Sequence, residues 1–448
     1  MTQQQETIAA IATPPGTGGI GIVRISGPAA KQIGKSLVGS IPTPRKPKLQ
    51  LFLDRDCHPI DRGLVLFFAG PASYTGEDVL ELHGHGGPVV LDLLIERVIA
   101  LGARLAQPGE FSKRAFLNGK LDLTQAEAVA DLIESRTRLA ARCALRSLAG
   151  EFSKEINTIS KKIGDLRMYI EADIDFSDEG IEALSSVEAG KRLISTKQTL
   201  KGLLSRASQG SVLAQGAVVV LVGAPNVGKS SLMNTLAGTE RSIVSDEPGT
   251  TRDLIETEID LDGLVVRITD TAGLRDSDNP VESEGVRRAR AAMVSADLVL
   301  LLIDDTLTGH EANEIGASQL IDGVPCIRIY NKCDLSHRPF GLERGANTLT
   351  IAISATGGDG VAELLREIKR LLGFTNTGEG LVMARRRHLE ALVRTQDHIN
   401  AASSHIGVAP ELLAEELRLA QTALGEITGE VTTEDFLGQI FSSFCVGK

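Results

Sequence analysis

The sequence predicts an α/β + α architecture, in which a P-loop α/β domain is inserted into an α-helical bundle behind an N-terminal α/β domain. Three observations predict it. The pattern Gly223-Ala-Pro-Asn-Val-Gly-Lys-Ser230 follows the apolar run 217–222 and precedes Ser231-Leu-Met-Asn-Thr-Leu-Ala237, giving the strand, loop and helix that a phosphate loop requires. Helical periodicity with almost no proline fills 123–146, 151–172 and 183–206, and it resumes after the insert at 381–405 and 410–424. Ahead of both, the chain to about Asn118 mixes strand-like runs with a helical one. The expected domains are 1–118, 119–215 and 378–448 as two parts of one helical domain, and 216–377 as the insert.

At 448 residues the chain should hold two or three domains. A net charge of −11 argues against a protein that coats nucleic acid nonspecifically, while leaving room for a local basic patch. The five cysteines are scattered and form no Cys-x-x-Cys pair, which fits a reducing cytosol and gives no metal signature. Residues 1–10 are polar and no apolar run approaches a membrane span, so a soluble cytoplasmic protein with no membrane attachment is expected.

In chain order, Gly18–Ser26 and 63–68 read as strands, 89–101 as a helix and 42–48 as a Pro-rich connection. Three glycine-rich stretches stand out: Thr13-Pro-Pro-Gly-Thr-Gly-Gly-Ile-Gly-Ile-Val-Arg24, Tyr74-Thr-Gly-Glu-Asp-Val-Leu-Glu-Leu-His-Gly-His-Gly-Gly87 and Gln107-Pro-Gly-Glu-Phe-Ser-Lys-Arg-Ala-Phe-Leu-Asn-Gly-Lys120. Such density permits close approach to a ligand, but turns are the favoured reading. His83 and His85 lack a third ligand, which weighs against a metal site. The last helix is expected near Thr432, which can pair with Asp435 as a capping box. Helices flanking a complete α/β domain suit a switch that levers a second domain.

The phosphate loop carries its own chemistry. Gly223 and Gly228 let backbone N–H groups turn toward phosphate oxygens, Lys229 adds a point charge and the Ser230 hydroxyl can ligate Mg²⁺. Downstream, Asp270-Thr271-Ala272-Gly273 follows the strand-like run 264–269, Asn331-Lys332-Cys-Asp334 follows 325–330, and Ser354-Ala355 follows 350–353. With Gly249-Thr250-Thr251-Arg252-Asp253 as a switch segment, the order resembles that of the GTPases. The resemblance implies that Asp334 pairs with the guanine edge. It places nucleotide contacts on Asn226, Val227, Gly228, Lys229, Ser230 and Ser231. Further contacts fall on Ser245, Asp246, Glu247, Pro248, Gly249, Thr250 and Thr251, on 270–273, and on Asn331, Lys332, Asp334, Ser354, Ala355 and Thr356.

Small signalling GTPases place a glutamine where this chain has Leu274, which cannot hold the attacking water. Glu282 is the first candidate for that work, with Glu284 behind it; alternatively both are solvated acids ahead of a helix at 286–293. No arginine is placed to neutralise the transferring phosphoryl group, and the Asn226 carbonyl suits a monovalent cation in its stead.

The tail Ile440-Phe-Ser-Ser-Phe-Cys-Val-Gly-Lys448, together with the inserted domain and the three glycine-rich stretches, resembles the tRNA modification GTPase family MnmE, also called TrmE, over essentially the whole chain. That resemblance implies a cytosolic homodimer whose N-terminal α/β folate-binding and dimerisation domains pair and bind 5-formyl- or methylene-tetrahydrofolate. It implies a flavin-dependent partner, which alone carries FAD, in a heterotetramer that installs an aminomethyl or carboxymethylaminomethyl group at C5 of the tRNA wobble uridine. It also implies K⁺-dependent GTP hydrolysis, with K⁺ driving the inserted domains together.

Carried over by motif, the folate contacts fall on Arg24, Glu81, Lys120 and Lys448. Mg²⁺ falls on Ser230 and Thr251, and K⁺ on Asn226, Ser245, the Glu247 carbonyl and Thr250. The family's water-orienting glutamate matches Glu282, while Pro248 is a departure that stiffens the cation loop. Cys445 reads either as a catalytic thiol near the folate or as a small apolar packing residue between Phe444 and Val446. For tRNA, Arg385-Arg-Arg387 and Arg45-Lys-Pro-Lys48 are the basic candidates, though short basic runs are usually solvated faces. The rival is a GTP-dependent RNA-binding assembly switch without covalent RNA chemistry, which predicts a KH-type appendage and no folate pocket.

Overall fold

The computed structural model describes residues 6–175, 186–239, 241–242, 256–270, 292–307, 324–345, 349–374, 380–444 and 447. The chain forms two compact units, one from 1–130, 147–190 and 398–448, the other from 131–146 and 191–397. Among the described residues no helix is long and apolar enough to cross a membrane.

The first unit begins with β1 (Ile8–Ile11), β2 (Gly18–Ser26), α1 (Ala30–Val38), β3 (Lys48–Leu53), β4 (Pro59–Phe68), β5 (Val79–Gly86), α2 (Pro88–Ala100), β6 (Arg104–Leu105) and α3 (Glu110–Leu117). Its sheet runs β3-β4-β5-β2-β1-β6 and is antiparallel except at β1–β6. Alternation along β2, β4 and β5 sends Val23, Ile25, Val65, Leu80 and Leu82 to one face, where Ile33 and Leu37 of α1 and Leu94 and Val98 of α2 cover them.

The turn reading of the glycine-rich stretches holds at Gly16, Gly76, Gly109 and Gly119, which take positive φ in bends and turns, and fails within the strands. Gly21 and Gly86 lie in the paired strands β2 and β5, where a Cβ would meet Leu91 at 2.7 Å and the Gly18 and Ile20 carbonyls at 2.7 Å respectively. Close strand and helix approach, rather than a bend, excludes side chains there. The third stretch becomes α3, entered through Gly109 at φ +65°. His83 and His85 bond separate carboxylates, Glu81 and Asp61, and no cluster of potential metal ligands occurs among the described residues.

The run read as one helix over 123–146 is two, α4 (Leu123–Glu134) and α5 (Arg138–Leu148). Thr137 makes the break: its Oγ1 accepts from Ala140 N at 3.2 Å and donates to Gly263 O at 2.7 Å, starting α5 against the inserted sheet. Two long helices follow, α6 (Glu151–Asp175) and α7 (Ser186–Gln215).

The second unit then builds β7 (Ala217–Gly223), α8 (Lys229–Thr239), β8 (Arg241–Ser242), β9 (Glu256–Leu261), β10 (Leu264–Asp270), β11 (Leu298–Asp304), β12 (Cys326–Asn331), α9 (Cys333–Ser336), β13 (Gly341–Arg344), β14 (Leu349–Ala352) and α10 (Val361–Leu371). Strand order is β13-β14-β12-β11-β7-β10-β9-β8, with β14, β12, β11, β7 and β10 parallel. The central parallel strands β7 and β11 are near-continuous apolar runs because both faces are covered, by α8, α10 and Cys143 of α5 on one side and by Met293 on the other, whereas β12 alternates.

After the insert come α11 (Arg386–Ser404), α12 (Pro410–Thr428) and α13 (Glu434–Ser442). Residues 381–384, expected as helix, lie outside any helix or strand and are all buried, which one helical face could not achieve. Gly210 of α7 lets them in, since a Cβ there would stand 1.7 Å from Val382 O. Helices α6 and α12, from either side of the insert, pack together, with Arg167 Nη1 donating to Gln421 Oε1 at 2.9 Å. That pairing bears out the inserted arrangement. The cap of α13 lies one residue later than expected: extended Thr433 accepts from Phe436 N at 3.3 Å, and this register buries Leu437, Phe441 and Phe444 with Phe116 and Leu123.

Two stability outcomes follow from these contacts. Gly210→Ala should destabilise the second unit by at least about 2 kcal/mol, read as a lowered midpoint in denaturant; an unshifted midpoint would contradict the close approach. Glu110 bonds Arg104 and Arg114 at 2.7 and 2.9 Å. Burial raises its pKa, but the hydrogen bonds from Arg104, Gln107 N and Arg114 outweigh it and hold the carboxyl at about 2. A depressed carboxylate stabilises above its unfolded pKa and loses that contribution as pH falls toward 2. Glu110→Gln should therefore cost about 2 kcal/mol at pH 7 and clearly less at pH 3, whereas an equal gap at both pH values would exclude the charge pairing.

Candidate functional site

In the second unit, the carboxyl ends of the parallel strands carry the expected nucleotide motifs. Strand β7 ends at Gly223, beside Leu302 of β11, and the chain turns through Asn226 at φ 59° and Gly228 at φ +102° into α8. Such a loop at a helix N-terminus directs backbone N–H groups toward an anion. At Gly228 a Cβ would lie 2.3 Å from Asn331 Nδ2, so only glycine fits. Lys229 is buried, its ammonium donating to Gly223 O at 2.8 Å and Ala224 O at 3.0 Å. Val227 is buried in the core, while Asn226, Ser230 and Ser231 are exposed.

Asn331 joins three loops. Its Nδ2 donates to Val227 O at 2.8 Å and its Oδ1 accepts from Ala355 N at 2.9 Å, with the residue only 2% exposed. The structure thus brings the phosphate loop, Asn331-Lys-Cys-Asp334 and Ser354-Ala355-Thr356 together. Ser354 is buried and its Oγ accepts from Gly357 N, and Ala355 O accepts from Thr235 of α8 at 2.6 Å. Asp334 is exposed on α9, one residue after Cys333, whose thiol is pushed up by burial and serves packing. Asp270 closes β10 beside Leu221 of β7. Ser245, Asp246, Glu247, Pro248, Gly249, Thr250, Thr251, Thr271, Ala272, Gly273, Glu282, Cys445 and Lys448 lie outside the described residues.

A second polar cluster lies in the first unit. Arg24 of β2 and Glu81 of β5 are cross-strand partners, and Arg24 Nε bonds Glu81 Oε1 at 2.9 Å. The same guanidinium donates through Nη1 to Gly447 O at 3.1 Å and lies 5.8 Å from the ring centres of Tyr74 and Phe111. Gly447 itself is seated on Ile11 and Ala12, where a Cβ would meet Ile11 O at 2.7 Å. Arg24 therefore joins Gly447 to residues of the second and third glycine-rich stretches, Glu81 and Tyr74 of the one and Phe111 of the other. Lys120 is exposed, beside Gly76.

Sequence reasoning missed Tyr74, whose hydroxyl bonds Ser112 Oγ at 2.8 Å and is pushed up by burial, and Phe111. Both fall inside the quoted stretches, and their bulk among glycines was the available signal. It also missed Asp304, which ends the apolar run of β11 and accepts from Lys332 Nζ at 2.6 Å. Arg385, expected as a basic candidate, pairs with Asp131 at 2.7 Å, and Arg45 donates to Ala72 O.

Two family models match, the GTP-binding protein TrmE N-terminus over residues 7–120 and the MnmE helical domain over 123–445. Among curated relatives, the tRNA modification GTPase MnmE of Methylococcus capsulatus is 52% identical over 445 residues, covering 99% of both chains. Its namesake from Nitrosococcus oceani is 50% identical over 99% of this chain and 97% of its own, and that of Neisseria meningitidis serogroup C is 50% identical over the whole of both. Similarity of that depth along the whole length, joined to the phosphate and guanine loops gathered by Asn331, makes this chain a member of the MnmE (TrmE) family of tRNA modification GTPases.

Proposed function

We propose that this chain is a K⁺-dependent GTPase that, with a flavin-dependent partner protein, modifies C5 of the wobble uridine of tRNA with a tetrahydrofolate one-carbon unit. The product is an aminomethyl or carboxymethylaminomethyl group. The observation that supports this reading most is the convergence of Glu81 and the Gly447 carbonyl on Arg24, since it joins Gly447 to two of the glycine-rich stretches. A carboxylate accepts from the N–H-rich edge of a pterin, and a guanidinium donates to a carbonyl or carboxylate, so the pair has the chemistry a tetrahydrofolate needs. Lys120 and Lys448 are the further folate contacts. The folate would supply the transferred carbon when bound, and Cys445 is the candidate thiol for that chemistry if it does not serve packing instead. FAD enters only with the partner, in a heterotetramer built on a homodimer of this chain.

In the nucleotide site, Gly228 at φ +102° makes the turn into α8 that aims backbone N–H groups at a phosphate. Lys229 supplies charge, Ser230 and Thr251 are the oxygen donors for Mg²⁺, and Asp334 selects guanine. Oxygen donors on Asn226, Ser245, Glu247 and Thr250 suit K⁺, which would supply the positive charge that no arginine provides. Glu282 would orient the attacking water in place of the glutamine that Leu274 replaces. The assembly-switch rival calls for a KH-type appendage, whereas residues 7–120 match the TrmE N-terminal model instead. On this reading the protein works in the cytoplasm.

Glu282→Ala should leave GTP affinity unchanged and lower turnover in KCl by about a hundredfold or more, as expected for loss of a water-orienting base. Near-normal turnover would move that role to another residue. Arg24→Ala should weaken 5-formyltetrahydrofolate binding about tenfold in equilibrium dialysis while K⁺-stimulated hydrolysis stays intact. Unchanged folate affinity would remove Arg24 from the site.

A further inference from the structure

The loop that carries Asp334 is strained at both ends. Lys332 caps α9 at φ 64° and His337 closes it at φ 61°, two non-glycine residues in the left-handed region, each costing about 1 kcal/mol. Something must hold these positions, and two adjacent carboxylates from the neighbouring strand do so. Asp304 pairs with Asn331 across β11 and β12, and Asp305 N donates to Asn331 O at 3.0 Å, so the sheet itself brings both beside the loop.

Asp304 uses its two oxygens separately. Oδ1 accepts from Thr306 N and Oγ1 at 3.0 and 2.6 Å, which fixes the carboxylate, and Oδ2 accepts from Lys332 Nζ at 2.6 Å. Asp305 grips the other end, accepting from Ser336 Oγ at 2.5 Å and from Arg338 Nη2 at 3.0 Å and Nε at 3.2 Å. The Arg338 guanidinium also stacks 4.0 Å above the Tyr330 ring, returning the loop to β12. His337 is thus flanked by two residues bonded to one carboxylate, while Lys332 is bonded to the other.

We propose that Asp304 and Asp305 are positioning residues for guanine-nucleotide affinity, each holding one strained end of the Lys332–His337 loop so that Asp334 is presented in its binding conformation before the nucleotide arrives. Ordering the loop in advance removes an entropy cost from binding and leaves the transferring phosphoryl group untouched. The effect belongs in nucleotide affinity and KM, not in kcat. The inference rests on the assignment of Asp334 to guanine.

The test is a titration of the full chain with a fluorescent GDP analogue, alongside steady-state GTP hydrolysis in KCl, for Asp304→Asn, Asp305→Asn, Lys332→Met and the Asp304→Asn/Lys332→Met pair. Each aspartate variant should raise the Kd about tenfold, the loss of one charge-assisted hydrogen bond, and raise KM with kcat unchanged. The double variant should bind no more weakly than Lys332→Met alone, because Asp304 acts through that lysine. An unchanged Kd in both aspartate variants, simple additivity in the double, or a fall in kcat at saturating GTP would overturn the proposal. With Asp334→Asn as control, retained GDP affinity would unseat the guanine assignment itself and the proposal with it.

Discussion

The buried side chain of Asn331 is the constraint on which the second unit's site depends. One amide satisfies Val227 O of the phosphate loop and Ala355 N of the last strand's loop, and it blocks any side chain at Gly228. Leaving either backbone group unpaired in so dry a place costs about 1–3 kcal/mol, so phosphate recognition and base recognition share one geometry. Because β7, β12 and β14 run parallel in one sheet, their carboxyl ends open on the same side, and only a short strut is needed to join them.

In the first unit the comparable role falls to strand register. Arg24 and Glu81 face each other because β2 and β5 pair antiparallel with Val23 opposite Leu82 and Ile25 opposite Leu80, and those four are core residues. Slipping either strand by one position would turn the apolar residues to water, so hydrophobic burial indirectly fixes an ion pair. The carbonyl of Gly447 completes the cluster from the far end of the sequence, carried there by the packing of Phe441 and Phe444 on Phe116 and Leu123.

The nucleotide motifs and the Arg24 cluster differ in their local chemistry. A nucleotide site must hold several negative charges, which backbone N–H groups and one ammonium can do without a heavy cost of buried charge. In the Arg24 cluster a carboxylate and a guanidinium are instead already paired, so that neither is buried alone. Glu110, Glu77 and Arg114 extend that paired arrangement beneath the Arg24 cluster, where Ser26 and Thr75 are fully buried and hydrogen-bonded.

Much of this was legible in the chain itself. The phosphate loop, Asn331-Lys-Cys-Asp334 and the strand runs before them are local patterns, written by the need for glycine at close backbone approach and for apolar side chains in strands covered on both faces. What sequence periodicity could not reveal were the places where a distant partner overrules it. Thr137 splits a helical run because Gly263 offers its carbonyl, residues 381–384 abandon helix because Gly210 opens a slot, and Gly21 serves a strand rather than a turn because Leu91 leaves no room for a side chain. Likewise, the sequence determined that Asn331, Arg24 and Asp304 exist in their motifs and runs, whereas only the tertiary structure decided what each one bonds. A hydrogen bond's partner is set by the meeting of loops far apart in the chain, and that meeting is fixed by the packing of whole sheets and helices.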